Sequence, residues 1–301
     1  MIERIFGGLE AGGTKFVCLV GSGPGQILDE IRFPTRDPVA TLDRTVAFFA
    51  NHARRTPLMA LGVGSFGPLD LDPTSPTYGF ITSTPKPGWG KVDLNGILRT
   101  GLQLPVALDT DVNAAALGER TWGCDTQLLD PFVYVTVGTG IGVGVLVNGM
   151  PLHGLVHPEG GHMRIPHDRQ QDPFPGSCPF HGDCLEGLAS GNSLEARWQR
   201  KPEALPEDHP AWDLEARYLA LAVVNLICVY SPRRIVLGGG VLEHPGLLHQ
   251  VRMKVLKLLN GYVRSPQITA RIESYLVPPS LGSRSGVLGA IALAIELSRS
   301  S

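Results

Sequence analysis

The segment CPFHGDCLEG, residues 178–187, holds the side chains of this chain that are best suited to bind a metal ion. Cys178, His181 and Cys184 follow one another with two residues between each pair, which suits tetrahedral zinc, and two thiolates favour zinc over magnesium or manganese. The fourth ligand stays open, because four upstream histidines lie within reach: His153, His157, His162 and His167. A closed site of four ligands would be structural. The alternative is two free cysteines and a surface histidine.

A second candidate site is the segment DTDVN, residues 109–113, which places two acids between a predicted strand and an alanine-rich helix. A carboxylate at a strand end suits a general base that takes the proton of an attacking hydroxyl group. A helix N-cap would explain either acid alone, but it does not readily explain two acids and an asparagine together. We favour Asp111 over Asp109 as the base.

The segment HPEGGH, residues 157–162, sets Glu159 and His162 around two glycines, so both side chains can point the same way. Carboxylate oxygens accept hydrogen bonds from neighbouring hydroxyl groups, which makes this turn a candidate for binding a sugar. The alternative is a turn that faces solvent and has no function of this kind.

Glycine-rich turns occur at three predicted strand ends, at residues 12–15, 138–140 and 238–240. Backbone N–H groups in such turns converge on phosphate, and Thr14 and Lys15 add a hydrogen-bond donor and a positive charge. The spacing is not that of a Walker A loop, and a strand follows where a helix would be needed. Each turn alone could be a tight hairpin that requires positive φ. Together they predict a bound nucleotide triphosphate.

The elements that must position these groups alternate between strands and helices, which indicates an α/β fold. A strand, a glycine turn and a second strand occur early in the chain and recur at residues 132–147, which suggests a duplicated core with two halves facing a cleft. Residues 150–193 lack periodicity and predict a long functional loop. Other predicted elements include helices at 38–54, 211–230, 246–260 and 285–299 and a strand near 271–276.

Composition narrows the class of protein. The 301 residues are 43% hydrophobic and 18% charged, and the formal net charge is −2, so no basic surface is expected for nucleic acid or an anionic membrane. The first residues lack the features of a signal peptide, and five unevenly spaced cysteines do not suggest a disulfide framework. We therefore expect a soluble, cytoplasmic protein that binds neither nucleic acid nor membrane.

Six motifs together resemble the ROK family of sugar kinases, and its fructokinase branch most closely. They are GLEAGGTK (8–15), DTDVNAAALGE (109–119), VTVGTGIGVGV (135–145), HPEGGH (157–162), CPFHGDCLEG (178–187) and LGGGV (237–241). The resemblance covers essentially the whole chain. It implies an actin-like, hexokinase-type ATPase fold, with two α/β domains around a cleft. It also implies transfer of the γ-phosphoryl group of ATP to the 6-hydroxyl of fructose, with Mg²⁺ and a structural Zn²⁺, and commonly a homodimer.

The resemblance also assigns roles to residues. Asp111 matches the catalytic base, and the sugar-binding positions are Glu159, His162, Glu186, Thr110 and Asn113. The zinc ligands are His162, Cys178, His181 and Cys184, so His162 would serve both metal and sugar. The positions on the nucleotide side are Gly12, Gly13, Thr14, Lys15, Thr139, Gly140, Gly239 and Gly240.

Departures from other members of the family follow the fructokinase branch. Thr110 stands where many glucose-specific members have asparagine, Glu10 stands where others have aspartate, and the Cys/His spacing at 178–184 replaces a longer cysteine motif. A core strand is expected by residue 5, which argues against a repressor with an N-terminal winged helix. The alternatives are a kinase for mannose, glucose or an N-acetylhexosamine, and a sugar sensor without activity. The expected domains are 1–112, joined by the C-terminal helix 285–301, and 113–284 with the zinc loop.

Overall fold

The computed structural model describes residues 4–123 and 129–300, and these residues form two compact units. Within the described residues, the first unit comprises 4–123, 150–158 and 280–300, and the second comprises 129–149 and 159–279. The strands, in chain order, are β1 (Ile5–Ala11), β2 (Lys15–Gly23), β3 (Gln26–Pro34), β4 (Leu58–Ser65), β5 (Val106–Thr110), β6 (Phe132–Val137), β7 (Ile141–Val147), β8 (Met150–Pro151), β9 (Arg234–Gly238) and β10 (Leu276–Val277).

The helices, in the same order, are α1 (Pro38–Ala53), α2 (Leu94–Leu102), α3 (Asp111–Trp122), α4 (Leu185–Ala189), α5 (Gly191–Trp198), α6 (Ala211–Tyr230), α7 (Leu247–Leu259), α8 (Pro266–Thr269), α9 (Ile272–Tyr275) and α10 (Ser285–Ser300). Most predicted elements occur close to their expected places. Residues 150–193 differ from the prediction, because α4 and the start of α5 lie within the segment that was expected to be a loop.

The first unit is built on a five-stranded sheet in the order β3-β2-β1-β4-β5. The hairpin pairs β1–β2 and β2–β3 are antiparallel, whereas β1–β4 and β4–β5 are parallel. Strands β1 and β2 are buried along almost their whole length, which is typical of strands covered on both faces. One apolar cluster joins the sheet to α1 and α2 through side chains such as Phe49 and Leu98. Another cluster joins it to α10 through Val287 and Ile291.

Helix α10 packs so closely on both β4 and α3 that their backbones are in contact. A Cβ atom on Gly62 would lie 1.7 Å from the carbonyl oxygen of Ala290, and one on Gly289 would lie 1.6 Å from that of Ala114. The buried carboxylate of Glu119 in α3 also accepts hydrogen bonds from the segment that leads into α10. These contacts place α3 in the first unit, whereas the boundary expected from the sequence lay between residues 112 and 113.

The second unit contains strands in the order β10-β9-β6-β7, in which β6–β7 is an antiparallel hairpin and the other two pairs are parallel. The run β2-β1-β4-β5 of the first unit has the same pattern, which supports the expected duplication of the core. The strand predicted near 271–276 is mostly wrong, because this segment forms α9 followed by the short β10. Ile272 and Tyr275 are buried three residues apart, a spacing that suits one face of a helix.

Helix α6 is the longest helix among the described residues of the second unit, and its buried face includes the acidic residue Glu215. Within the part of the chain that the structure describes, no helix combines the length and apolar character needed to cross a bilayer.

Candidate active site

The two acids of the DTDVN segment have different environments. Asp109 is 3% exposed, and its Oδ1 accepts hydrogen bonds from the Thr110 amide at 2.7 Å and the Asn113 side-chain amide at 2.8 Å. Asp111 is the first residue of α3, and its Oδ1 accepts the Val112 amide at 2.9 Å. The N-cap of α3 is Thr110, so neither acid is needed as a helix cap. Asp109 thus supports the turn, and this arrangement favours Asp111 as the group for chemistry.

Thr110 and Asn113 are buried beside Asp111, with 5% and 2% of their surface exposed. The Thr110 hydroxyl accepts the backbone amide of Asn113 at 3.2 Å, while the Asn113 side chain donates to Asp109. These bonds hold the turn that carries Asp111. Direct binding of sugar by Thr110 and Asn113 stays a prediction, and their hydrogen bonds in the structure hold the backbone that carries Asp111.

The Asp111 carboxyl group is poised to exchange protons near neutral pH. Burial raises its pKa from the usual 3.8 to about 6, while the backbone amides of Val112 and Asp111 itself act in the opposite direction. Glu10, at the end of β1, has a pKa raised to about 7, first by burial and then by the negative charge of Asp111. One oxygen of Glu10 is inaccessible to water and accepts no hydrogen bond from the described residues. Two carboxylic acids with raised pKa values therefore lie near each other in the first unit.

The turn between β1 and β2 contains the predicted phosphate-binding residues Gly12, Gly13, Thr14 and Lys15. The Gly12 amide donates to the carbonyl oxygen of Lys15 at 3.0 Å, and the Gly12 carbonyl oxygen accepts the hydroxyl of Thr35 at 2.6 Å. A Cβ on Gly12 would lie 2.7 Å from that Lys15 oxygen, whereas one on Gly13 would meet no atom within 4 Å. Neither glycine has positive φ, so the turn does not need glycine for that reason. Open space at Gly13 and the exposed Thr14 and Lys15 suit the approach of an anion.

The second unit repeats this arrangement at the turn between β6 and β7. The Gly138 amide donates to the carbonyl oxygen of Gly140 at 2.9 Å, and Thr139 is exposed. The Oε2 atom of Glu186, from α4, accepts the amide of Ile141 at 2.9 Å. A Cβ on Gly140 would lie 2.6 Å from the same oxygen. A residue predicted to bind sugar is thus in contact with the turn predicted to bind phosphate.

His162 connects the predicted sugar residues of the second unit with the cysteine loop. Its Nε2 lies 4.0 Å from Oε1 of Glu186, and its backbone amide donates to the carbonyl oxygen of Glu159 at 2.9 Å. Glu159 is exposed and precedes the short 3-10 helix Gly160–His162. A Cβ on Gly161 would lie 1.9 Å from the carbonyl oxygen of Ile141, so glycine is required for this turn to pack on β7. Glu159, His162 and Glu186 are therefore held at one end of the β6–β7 hairpin.

The four predicted zinc ligands lie together, with ligand atoms all within 4.8 Å of one another. His162 Nδ1 is 3.7 Å from Cys178 Sγ and 3.5 Å from Cys184 Sγ, and His181 Nδ1 is 3.6 Å from Cys178 Sγ. Tetrahedral zinc with the usual bond lengths separates its sulfur and nitrogen ligands by about 3.6 Å. The spacing of the donor atoms in this cluster therefore fits a zinc ion.

The other three candidates for the fourth zinc ligand, His153, His157 and His167, contact other residues and do not lie at the cysteine cluster. His153 pairs with Asp109, and His157 accepts the backbone amide of Leu69; all four residues belong to the first unit. His167 lies 3.2 Å from a carboxylate oxygen of Asp183 and 2.9 Å from the carbonyl oxygen of Asp172. Only His162 of the four lies among the cysteines.

The third glycine-rich turn follows β9. Gly239 has φ of +97°, and a Cβ there would lie 2.4 Å from the carbonyl oxygen of Val137. A Cβ on Gly240 would meet no atom within 4 Å. The absence of a side chain at Gly239 therefore allows the end of β9 to lie against the end of β6. At Gly240 the backbone is open to a ligand.

Three features of this region were not predicted from the sequence to have a function. They are the shielded carboxylate of Glu10, the Asp109–His153 pair, and the contacts of Asp172 with Arg197 and Tyr218. An acid inside an otherwise apolar strand was the available signal for Glu10. The other contacts join residues 25 to 46 positions apart, and no local pattern indicates them.

Two α/β units that share one order of strands, each with a glycine-threonine turn in a hairpin, define an actin-like ATPase fold. The chain belongs to the ROK family, whose family model matches residues 6–297. It is 42% identical to the fructokinase of Streptococcus mutans, over 98% of this chain and 99% of that protein. It is 43% identical to the fructokinase of Zymomonas mobilis, over 97% of each. The crystal structure of the ROK hexokinase from Thermus thermophilus is 28% identical, with a TM-score of 0.76, covering 99% of this chain and 100% of that one.

Proposed function

We propose that the protein is an ATP-dependent fructokinase that transfers the γ-phosphoryl group of ATP to the 6-hydroxyl of D-fructose. The observation that carries this proposal is the position of Asp111, a carboxyl group with a raised pKa at the strand end where the family's base is expected. Relatives named as fructokinases, at 42% and 43% identity over nearly the full chain, support fructose as the acceptor.

In this mechanism Asp111 orients the sugar hydroxyl and accepts its proton as the new bond to phosphorus forms. A base with a pKa of about 6 is ionised at neutral pH and still binds a proton readily. Glu159, His162 and Glu186 bind sugar hydroxyls, and the turns at residues 12–15 and 138–140 donate N–H groups to the phosphates. Mg²⁺ bound with ATP would supply positive charge to the phosphate oxygens.

We further propose that His162, Cys178, His181 and Cys184 hold a structural zinc ion. All four ligand positions would be filled, so zinc would take no part in phosphoryl transfer. Its effect would be to fix His162 and the start of α4, which carries Glu186. Metal analysis is expected to give one zinc per chain, and removal with a chelator is expected to raise the fructose KM and speed hydrogen exchange in residues 176–187. Purified protein with well under one zinc per chain contradicts the site.

The experiment that tests the function is a coupled ADP-release assay across fructose, mannose, glucose and N-acetylhexosamines. Asp111→Asn is expected to lower kcat by about 100-fold to 10,000-fold, the usual contribution of a general base, and to change sugar affinity little. The exposed Asp43→Asn serves as the control variant. Turnover of Asp111→Asn within about tenfold of the wild type contradicts the assignment of the base.

The same assay separates the alternatives. A higher kcat/KM for mannose, glucose or an N-acetylhexosamine than for fructose assigns the protein to another hexose kinase. Hexose binding without ADP release from any sugar indicates a sensor. We also propose that the protein is a cytoplasmic homodimer, which light scattering of the purified protein tests through a mass of twice 32.3 kDa.

A further inference from the structure

Asp109 is a buried carboxylate whose two oxygens have different partners. Oδ1 accepts hydrogen bonds from the amides of Thr110 and Asn113, within the turn that carries Asp111. Oδ2 lies 3.0 Å from Nε2 of His153, which follows β8 in the segment 150–158. A carboxylate that is only 3% exposed requires compensation for its lost hydration, and a charged hydrogen bond supplies it. The Asp109–His153 pair therefore belongs to the support of the catalytic turn.

The orientation of His153 follows from this pair, and the pair also favours its protonated form. The hydrogen bond with Asp109 raises its pKa, so the imidazole holds a second proton more readily than usual. Its side chain is 42% exposed. Because Nε2 faces Asp109, Nδ1 is on the opposite side of the ring, and no described residue forms a hydrogen bond with it. His153 thus has Nε2 fixed on Asp109 and Nδ1 facing away from it, and the raised pKa favours the form in which Nδ1 can donate to a ligand.

The surroundings of His153 lie at the edge of the first sheet where a substrate is expected. The parallel strands β4 and β5 end there, and ligands of α/β proteins bind at the carboxyl ends of such strands. Four residues further along the chain, Nε2 of His157 accepts the Leu69 amide at 3.0 Å, which anchors this segment beside the end of β4. Burial lowers the pKa of His157, so His157 is the neutral histidine of the two. The other charged or titratable groups near Asp109 are Tyr78 and, beyond it, Arg99.

We propose that His153, oriented by Asp109, is a sugar-binding residue that donates a hydrogen bond from Nδ1 to a hydroxyl group of the hexose. The proposal rests on the proposed function, and it places the contact in the first unit, to which Asp111 also belongs. A fixed, pre-oriented donor favours binding because little side-chain freedom is lost when the sugar arrives.

Two substitutions separate the two nitrogens of His153. His153→Gln places an amide N–H where Nε2 stands, so the bond to Asp109 is kept while the Nδ1 donor is lost. His153→Asn places an amide N–H near Nδ1 and gives up the contact with Asp109. His249→Gln, at an exposed position on α7, is the matched control. For each protein, kcat and the KM values for fructose and ATP are measured, together with calorimetric binding of fructose and the unfolding midpoint.

For His153→Gln we expect the KM and Kd for fructose to rise about tenfold, since the sugar hydroxyl group loses its hydrogen-bond donor. The kcat, the ATP KM and the unfolding midpoint should stay close to those of wild type. His153→Asn should bind fructose better than His153→Gln, despite a lower unfolding midpoint. Fructose affinity of His153→Gln within about twofold of wild type overturns the proposal, as does a fall in kcat with unchanged fructose affinity, which would indicate a contact with the phosphoryl group.

The outcomes also separate this proposal from the proposed function. If the wild type binds a hexose without turnover, the kinase function fails, and the Kd values of the two variants still decide the role of His153. If the wild type binds no hexose, both proposals fail.

Discussion

Asp111→Asn is expected to stabilise the folded protein at neutral pH while it removes the proposed base. Burial raises the pKa of this carboxyl group from 3.8 to about 6, so folding disfavours its ionised form. Because the folded pKa lies above the unfolded one, the penalty is absent below about pH 4, grows between the two pKa values and is complete above about pH 6. Each pKa unit corresponds to about 1.36 kcal/mol, so the penalty above pH 6 is about 3 kcal/mol. Asparagine avoids it and keeps an acceptor for the Val112 amide.

The assay is urea unfolding of both proteins from about pH 4 to about pH 8, with hydrogen exchange of α3 amides to follow the first unit. The measured quantity is the difference in free energy of unfolding between variant and wild type, in which titrating groups that do not interact with Asp111 cancel; Glu10 does interact with it. It should rise from near zero at the acid end to about 3 kcal/mol at the other. The exposed Asp43→Asn should show no such trend. A difference that is constant with pH refutes the reasoning, because Asp111 would then carry no burial penalty.

Three further predictions concern the same units. Wild-type kcat/KM should fall about tenfold per pH unit below about pH 6, as Asp111 gains its proton, and a flat profile to pH 5 would contradict this. Glu119→Gln replaces an acceptor of four hydrogen bonds from Ser280, Leu281 and Ser285. Urea unfolding should therefore show a free energy of unfolding that is lower by about 3 kcal/mol or more, and a decrease below about 1 kcal/mol would be too small for this role. Tyr218→Phe removes a 2.6 Å hydrogen bond to buried Asp172 and should lower the free energy of unfolding by about 1.5–3 kcal/mol, whereas an unchanged value would show that this bond contributes little.

Much of the site could be predicted because its chemistry lies in short segments. The Cys178–Cys184 spacing, the two acids around the end of β5 and the glycine turns are each encoded within a few residues, and local geometry keeps them together. The fourth member of the cysteine cluster could not be chosen from spacing alone. His162 and His167 stand similarly close to the loop in sequence, and the close packing of Gly161 on Ile141, which holds the turn of His162 against β7, has no local sequence signal.

The features that the sequence did not predict depend mostly on contacts between segments that are far apart in the chain. Nothing in the local sequence pairs Asp109 with His153, because the two residues meet through the return of segment 150–158 to the first unit. The boundary after residue 112 missed the attachment of α3 to α10, which depends on glycines that allow two backbones to touch. The predicted strand at 271–276 was wrong because a short apolar segment can form either a strand or a single buried helical turn, and here it forms a helical turn.

The packing of α10 also has a consequence for the order in which the molecule can be completed. Residues 285–300 leave the ribosome after the whole second unit, yet they fill one face of the first sheet and hold α3 through Gly289 and Glu119. The first unit therefore cannot finish its core when its own strands have been made. The helix that begins at Asp111 gains its final support only near the end of synthesis, so the base is among the last features of the protein to reach its working geometry.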